Sequence, residues 1–399
     1  MVVNNRKNGG AESSMQILER GGISRRRWFS VFSGILASGL RFRESLGRAG
    51  PASTQSQPAQ RTVPLPSHLS DDGYRASSLA DVEGTLTAAD KFFVRSHHPE
   101  PEVSFVDWRL RIEGKVRKPL ELTFSDLIEA PTTRQEVLLE CAGNTNSLIS
   151  NGLWEGVSLS SLLEQASPLP EAQRVMLVGA DSGSLLSESP PLPFARVLPL
   201  DKCLAPEAMV SFRLNDQFLP LRNGFPARAV FPGWYAMDSV KWLQRIVVLG
   251  PFDWPDTYYA SGMDLLYHRW LKGDAEERVT ARVSQILLKS AIAFPSPESR
   301  LAAGTYRVSG FAWAGEQTVR AVRVSVDGGT TWNPARLEAS SRPFTWVRWN
   351  YDWSAEPGDF VLMSQAQDST SKWQPMQRDR TRSDGYELNW VMPVRCSVK

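Results

Sequence analysis

Of the three cysteines in the chain, Cys141, Cys203 and Cys396, only the first is framed for chemistry. Cys141 follows the apolar run Val137, Leu138, Leu139 and the carboxylate Glu140, and precedes Ala142-Gly143-Asn144. That order predicts a buried strand stopping at a turn, with the thiol at a strand end facing a cleft. A rigid element there fixes the side chain while the loop lets something approach. A thiolate is a soft donor suited to a transition metal. No second cysteine lies near enough for a Cys-x-x-Cys clip, so a metal at Cys141 must take its remaining donors from elsewhere. The bland alternative is a buried cysteine acting as a small apolar side chain.

Two further stretches bring cations. From Lys91 an aromatic, strand-like run (Phe92, Phe93, Val94) delivers Arg95, His97 and His98 into a segment whose prolines, Pro99 and Pro101, bar helix. An arginine beside imidazoles is suited to clamping an anion. Residues 219–235 are broken by Pro220, Gly224, Pro226, Pro232 and Gly233, so the chain bends repeatedly and cannot be a plain strand. Arg228 lies between two such bends and Lys241 follows at short range, spaced to reach one anionic group. Each of the two taken alone reads equally as a solvated surface charge.

The elements that must position these groups are partly visible. Residues 108–114 alternate as a half-exposed strand closing at a glycine turn. Thr123 or Ser125 is placed to cap a short helix, and Ser158 to cap an amphipathic one. Residues 174–183 read as a buried strand ending in an acidic turn at Asp181, and residues 190–193 as a proline-rich surface loop. Residues 251–275 are aromatic and loop-like, with a domain boundary near 275. Beyond it, short alternating strands at 307–313, 319–326, 346–349 and 360–363 are separated by Asp327-Gly328-Gly329 and Glu356-Pro357-Gly358-Asp359. Such spacing predicts one antiparallel β-sandwich.

The 399 residues, 42% hydrophobic, suffice for two domains with full cores. Three widely spaced cysteines exclude a disulfide scaffold, a zinc ribbon and Cys-x-x-Cys-His haem attachment. A net charge of +2 hides an asymmetry, because residues 1–50 carry nine Lys/Arg against three Asp/Glu. The remainder is mildly acidic, with no basic stripe for nucleic acid. The basic head, Ser24-Arg25-Arg26-Arg27-Trp28-Phe29 before a Gly/Ser-diluted apolar run at 31–40, resembles a twin-arginine export signal. The run is too short to span a bilayer comfortably, so no membrane span is expected after signal removal, and the expected location is periplasmic. The expected division is a signal at 1–50, a linker at 51–80, a first domain at 81–275 and a second at 276–399.

The order of motifs, Arg-Ser-His at 95–97, Cys-Ala-Gly-Asn at 141–144, Phe-Pro-Ala-Arg at 225–228, Pro-Gly-Trp-Tyr at 232–235, Val-Lys-Trp-Leu at 240–243 and then a sandwich, resembles the sulfite oxidase family of molybdenum enzymes. The resemblance spans roughly residues 80 to 395. It implies an α+β chain: a mixed α/β molybdopterin domain followed by an immunoglobulin-like dimerisation sandwich. It implies that Cys141 ligates molybdenum beside the two dithiolene sulfurs of the pterin. Phe93, Arg95, His97, Asp181 and Asn223 would line the cofactor, and Arg228, Ser239, Val240 and Lys241 would hold its phosphate. Arg95 would also face the substrate oxyanion. By order, Tyr258 and Tyr259 fall at the active-site tyrosine and Arg382 at a C-terminal active-site arginine.

There are two departures, the first bearing on substrate and the second on a cofactor contact. Thr145 and Asn146 stand where the family's animal and plant oxidases carry two arginines, and Asn223 stands at a position usually held by histidine. The activity implied is oxidation of sulfite or a related sulfur compound by oxygen-atom transfer, with electrons leaving to a separate c-type cytochrome, from a homodimer. Rival readings are an S- or N-oxide reductase of the same superfamily and a non-catalytic binding subunit.

Overall fold

In the computed structural model, residues 74–184, 191–253, 268–271, 279–379 and 385–399 are described. The expected signal, and Tyr258, Tyr259 and Arg382, lie outside the described residues. Strand β1 (Tyr74–Arg75), within the stretch expected as linker, already pairs with β2 (Val94–Arg95). In β3 (Arg109–Gly114), fully buried Leu110 and Ile112 alternate with Arg111 and Glu113, the period of two that covers one face of a strand. After β4 (Leu120–Thr123), Thr123 caps α1 (Phe124–Glu129) in a reciprocal capping box with Asp126. Next come β5 (Thr132–Glu140), β6 (Ile149–Ser158) and α2 (Leu159–Ala166), whose first turn is capped by the Ser158 hydroxyl. They are followed by β7 (Arg174–Gly183), β8 (Leu192–Pro199), α3 (Leu200–Leu204), β9 (Met209–Leu214), β10 (Gln217–Phe218), β11 (Arg228–Val230) and β12 (Leu243–Leu249).

These strands make two five-stranded sheets. One has the order β4-β3-β12-β7-β8, parallel only between β3 and β12; the other runs β10-β9-β6-β5 with β11 also on β9. A single apolar cluster takes side chains from both sheets and from α2, among them Ile112, Leu162, Leu177, Phe212, Ala229 and Ile246. Among the described residues α-helix is scarce, at 6, 8 and 5 residues in α1, α2 and α3, so the α+β architecture is weighted to strand. Two expectations need correction. Residues 192 and 193 are not loop, since Leu192 and Pro193 pair with Gly183 and Ser182. The proline is tolerated because β8 is an edge strand with no neighbour on its far side. Asp181 lies inside β7 rather than in a turn after it, beside a register shift between Val178 and Ser182.

The second half opens with the pair β13 (His268–Leu271) and β14 (Val279–Arg282). It continues through β15 (Lys289–Phe294), β16 (Ser299–Leu301), β17 (Gly304–Trp313), β18 (Val319–Ser325), β19 (Asn333–Pro334), β20 (Arg336–Leu337), β21 (Trp346–Ala355), β22 (Gly358–Asp368) and β23 (Val394–Val398). Sheets β15-β17-β21-β20 and β16-β23-β22-β18-β19 face each other across a core that includes Val308, Trp349, Val324 and Leu362. This is the expected immunoglobulin-like sandwich. A third cluster joins it to the first domain, mixing Leu138, Ala142 and Ile149 with Ala291, Phe311, Trp313 and Trp346.

Candidate active site

Alternation along β5 decides what the end of that strand presents. Val137 and Leu139 point into a cluster with Phe92, Phe93 and Trp154, whereas Leu138 points into the cluster shared with the sandwich. Extending the same parity by two residues sends Glu140 toward the sandwich and Cys141 toward the Phe93 side. The structure agrees: Glu140 accepts a hydrogen bond from the Trp313 indole at 2.9 Å, and the part-buried Cys141 packs against the Phe93 cluster. Burial holds the Cys141 thiol above its usual range, and Glu140 adds to this, while the Gly143 N–H and the charge of Arg95 oppose it. Such a thiol is a poor nucleophile on its own, but a bound cation displaces its proton directly. Cys203 and Cys396 are buried.

Arg228 is 4% exposed, and its guanidinium donates to the carbonyls of Asn223 at 3.0 Å and Ser239 at 2.7 Å while lying 5.1 Å over the Trp154 ring. Ser239 and Val240 hold the main chain of β11 and its neighbour: the Ser239 hydroxyl accepts from the Phe231 N–H at 3.0 Å, and the Val240 carbonyl accepts from the Ala229 N–H at 2.9 Å. They thereby fix β11 around its arginine. Lys241 donates to the Ser96 hydroxyl and, at 3.3 Å, to the Arg222 carbonyl, with its ammonium 4.1 Å over the Trp242 ring. Neither Arg228 nor Lys241 has a carboxylate within ion-pair distance among the described residues. Burial pushes Arg228 down to about 9, so it stays charged at neutral pH. Burial, and then Arg228 itself, also push Lys241 down, with Asp181 and Glu100 opposing. A buried arginine that lowers a part-buried lysine beside it marks a site short of an anion.

Asp181, 4% exposed, leaves Oδ1 buried without a hydrogen-bond partner. Burial raises its carboxyl above the usual range against the pull of Lys241. Room for that oxygen comes from Gly179, where a Cβ would sit 2.5 Å from Asp181 Oδ1 and 2.8 Å from the Lys241 carbonyl. Asn223 shows the same incompleteness: its amide reaches the Phe93 carbonyl at 3.5 Å, and its Oδ1 is buried without a partner. His97 stacks on Phe194 at 5.4 Å between ring centroids. Burial lowers His97 to about 3, and Arg95, His98, Arg196 and Lys241 push the same way, so it is a neutral imidazole in a cationic field.

The expected residues are therefore brought together in an overlapping series: Arg95 acts on Cys141 and on His97, Lys241 on His97 and Asp181, and Arg228 on Lys241. The side chain of Arg95 makes no hydrogen bond or ion pair among the described residues. The Phe93 ring belongs to the core against which Cys141 packs, and its carbonyl reaches the site through Asn223. Sequence reasoning passed over Trp154 and Phe194 as site residues, because their residue types carry no chemical signal of their own. It also passed over the buried ion pair of Arg196 with Asp238 at 2.8 Å, which Arg282 joins at 2.7 Å.

A molybdopterin offers a phosphate, ring N–H donors and two sulfurs, and the donor set fits each. Arg228 and Lys241 supply a planar fork and a point charge for phosphate, Asp181 and Asn223 supply spare acceptors, and Cys141 supplies a thiolate. Among the described residues no group of three or more His, Cys, Asp and Glu gathers, so a metal at Cys141 would draw its other donors from the cofactor.

Residues 97–251 match the oxidoreductase molybdopterin binding domain, and residues 281–384 match the Mo-co oxidoreductase dimerisation domain. Sulfite oxidase of Gallus gallus is 29% identical over 325 residues, covering 73% of this chain and 69% of that protein. The chain belongs to the sulfite oxidase family of molybdopterin oxidoreductases. The family's mouse sulfite oxidase matches at 28% over 333 residues, 58% of its own length. The NADH nitrate reductase of Ulva prolifera matches at 28% over 312 residues, of which this chain spans 36% of the longer protein. Among solved structures, the sulfane dehydrogenase SoxCD of Paracoccus pantotrophus superposes with a TM-score of 0.72 at 27% identity, covering 90% of this chain and 95% of that one.

Proposed function

We propose that this member of the family oxidises sulfite or a related sulfur compound by oxygen-atom transfer, working as a homodimer that hands electrons to a separate c-type cytochrome. One observation carries the reading: a part-buried thiol lies beside Arg95, which is linked through His97 to Lys241 and on to Arg228, and none of these three cations has a carboxylate partner among the described residues. The bound cofactor supplies the two-electron oxygen transfer, as cofactors do for chemistry beyond side chains. The chain's own residues bind and orient. Arg228 and Lys241 would hold the phosphate, Asp181 and Asn223 would accept from the pterin, and Arg95, the one of the three cations making no hydrogen bond among the described residues, would face an oxyanion and steady negative charge on the product. His97 stays neutral and so adds no charge that would compete for the substrate.

Similarity to nitrate reductases favours one second reading, reduction of an S- or N-oxide with electrons entering instead of leaving. Export through the twin-arginine signal at residues 24–29 to the periplasm completes the proposal. Among the described residues no helix is long and apolar enough to cross a membrane.

The test is Cys141→Ser in the loaded protein. Molybdenum and pterin content are measured with activity on sulfite, thiosulfate and a sulfoxide, using cytochrome c or a reduced dye as redox partner. The expected result is a folded protein whose turnover falls by at least about 100-fold. Sulfite oxidation at the unmutated rate would rule out the ligand role of Cys141, and a wild-type chain that takes up no molybdenum would remove the reading altogether.

A further inference from the structure

The turn that carries Cys141 directs its part-buried sulfur to the Phe93 side of β5 and is fastened from behind by the second domain. Glu140, 3% exposed, accepts from Trp313 Nε1–H at 2.9 Å and from Asn144 Nδ2–H at 3.0 Å. Lys289, the first residue of β15 and 1% exposed, donates to the carbonyls of Asn144 at 3.0 Å and Thr145 at 3.4 Å, and stands 3.9 Å from Glu140. The Glu387 N–H reaches the Ala142 carbonyl at 2.8 Å. Inside the turn, the Asn144 N–H closes on the Cys141 carbonyl at 2.9 Å, and Asn144 Oδ1 accepts from the Leu148 N–H at 2.8 Å. Glu140, Ala142, Asn144 and Thr145 are thus each tied to the sandwich or its C-terminal segment, and the sulfur lies on the other side of the strand.

A buried ammonium and carboxylate are a weak means of gaining stability, since an apolar pair of similar volume does as well. What a fully satisfied polar network adds is a single preferred arrangement. Nothing in the binding of phosphate or pterin uses this network, which lies on the opposite side of β5 from the cations.

We propose that Lys289 and Trp313 of the second domain are positioning residues for Cys141, holding its turn through Glu140 and the Asn144 and Thr145 carbonyls in the conformation that presents sulfur to the cleft. The sandwich then contributes directly to the metal site of the chain it belongs to, in addition to any role between chains. The catalytic consequence rests on Cys141 being the molybdenum ligand; the geometry itself belongs equally to the cofactor-free protein, and is best measured there.

The experiment compares full-length, cofactor-free wild type with Lys289→Met, Trp313→Phe and Lys289→Arg. Each is exposed to N-ethylmaleimide, and modification is read separately at Cys141 and Cys203 by peptide mass. Buried Cys203, in α3 and remote in sequence from the turn, reports global opening. Losing bonds to a buried charge should raise local opening, and with it the Cys141 rate, by about tenfold in Lys289→Met, and by about threefold in Trp313→Phe where one neutral donor is lost. Cys203 should stay protected, and Lys289→Arg, which keeps the cation and its donors, should remain within about twofold of wild type. Loaded Lys289→Met should also show an altered Mo(V) resonance signal. Cys141 rates within about twofold of wild type in both the Met and Phe variants would overturn the proposal, as would Cys141 and Cys203 rising together. A wild type without molybdenum would instead refute the functional reading while leaving these rate ratios intact.

Discussion

Replacing Arg228 with Met separates what the arginine does for the fold from what it does for an anion. Burial draws this guanidinium well below its ordinary range, to about 9; at about 1.4 kcal/mol per tenfold change in proton affinity, its charge opposes folding of the cofactor-free chain by about 5 kcal/mol. Methionine removes that cost but strands the Asn223 and Ser239 carbonyls that the guanidinium satisfies, at about 1–3 kcal/mol each. The two effects nearly cancel, so thermal unfolding of the cofactor-free variant should shift by less than about 6 °C. Phosphate, by contrast, loses a forked, charge-assisted donor worth about 1.5–3 kcal/mol, which lowers cofactor affinity about 10- to 150-fold. Calorimetry of the cofactor-free protein, with molybdenum and pterin content of the purified protein, reads both quantities. Arg228→Lys keeps a charge without the fork and should fall between. An Arg228→Met protein with full molybdenum and pterin content would refute the reasoning, because the buried cation would then have no anionic ligand to explain it.

Gly179→Ala places a methyl 2.5 Å from Asp181 Oδ1 and 2.8 Å from the Lys241 carbonyl. It should cost about 1–3 kcal/mol in a urea titration and reduce pterin retention, whereas unchanged retention would show that neither neighbour matters to the cofactor. Asp181→Asn tests a pH dependence. Because burial raises the folded carboxyl above 3.8, its stabilising contribution is full below that value and is lost as pH rises through the raised one. Cofactor-free wild type should therefore lose stability relative to Asp181→Asn between pH 3.8 and neutrality, and urea midpoints that run parallel across that range would contradict the shift.

Much of this chain is readable from contiguous residues. The alternation at 108–114, the caps Thr123 and Ser158, the strand at 174–183 and the short strands beyond 300 all appear as elements with those residues in those roles. So does Cys141, one residue past the end of β5. These are consequences of local dihedral preference, side-chain periodicity and capping, which act over a few residues. The cations were legible as types and order, but not their burial, because whether an arginine is solvated or enclosed depends on what packs over it.

Only the tertiary structure decided the rest. Asp181 lies within a strand because of a register shift set by pairing with β8, and Pro193 is accommodated because β8 falls at a sheet edge. Glu140, adjacent to the thiol in every reading, faces the other way and meets Trp313, 173 positions along the chain. Partners so distant are chosen by sheet order and domain packing, whose free energy is spread over hundreds of contacts and leaves no mark in any short stretch of residues.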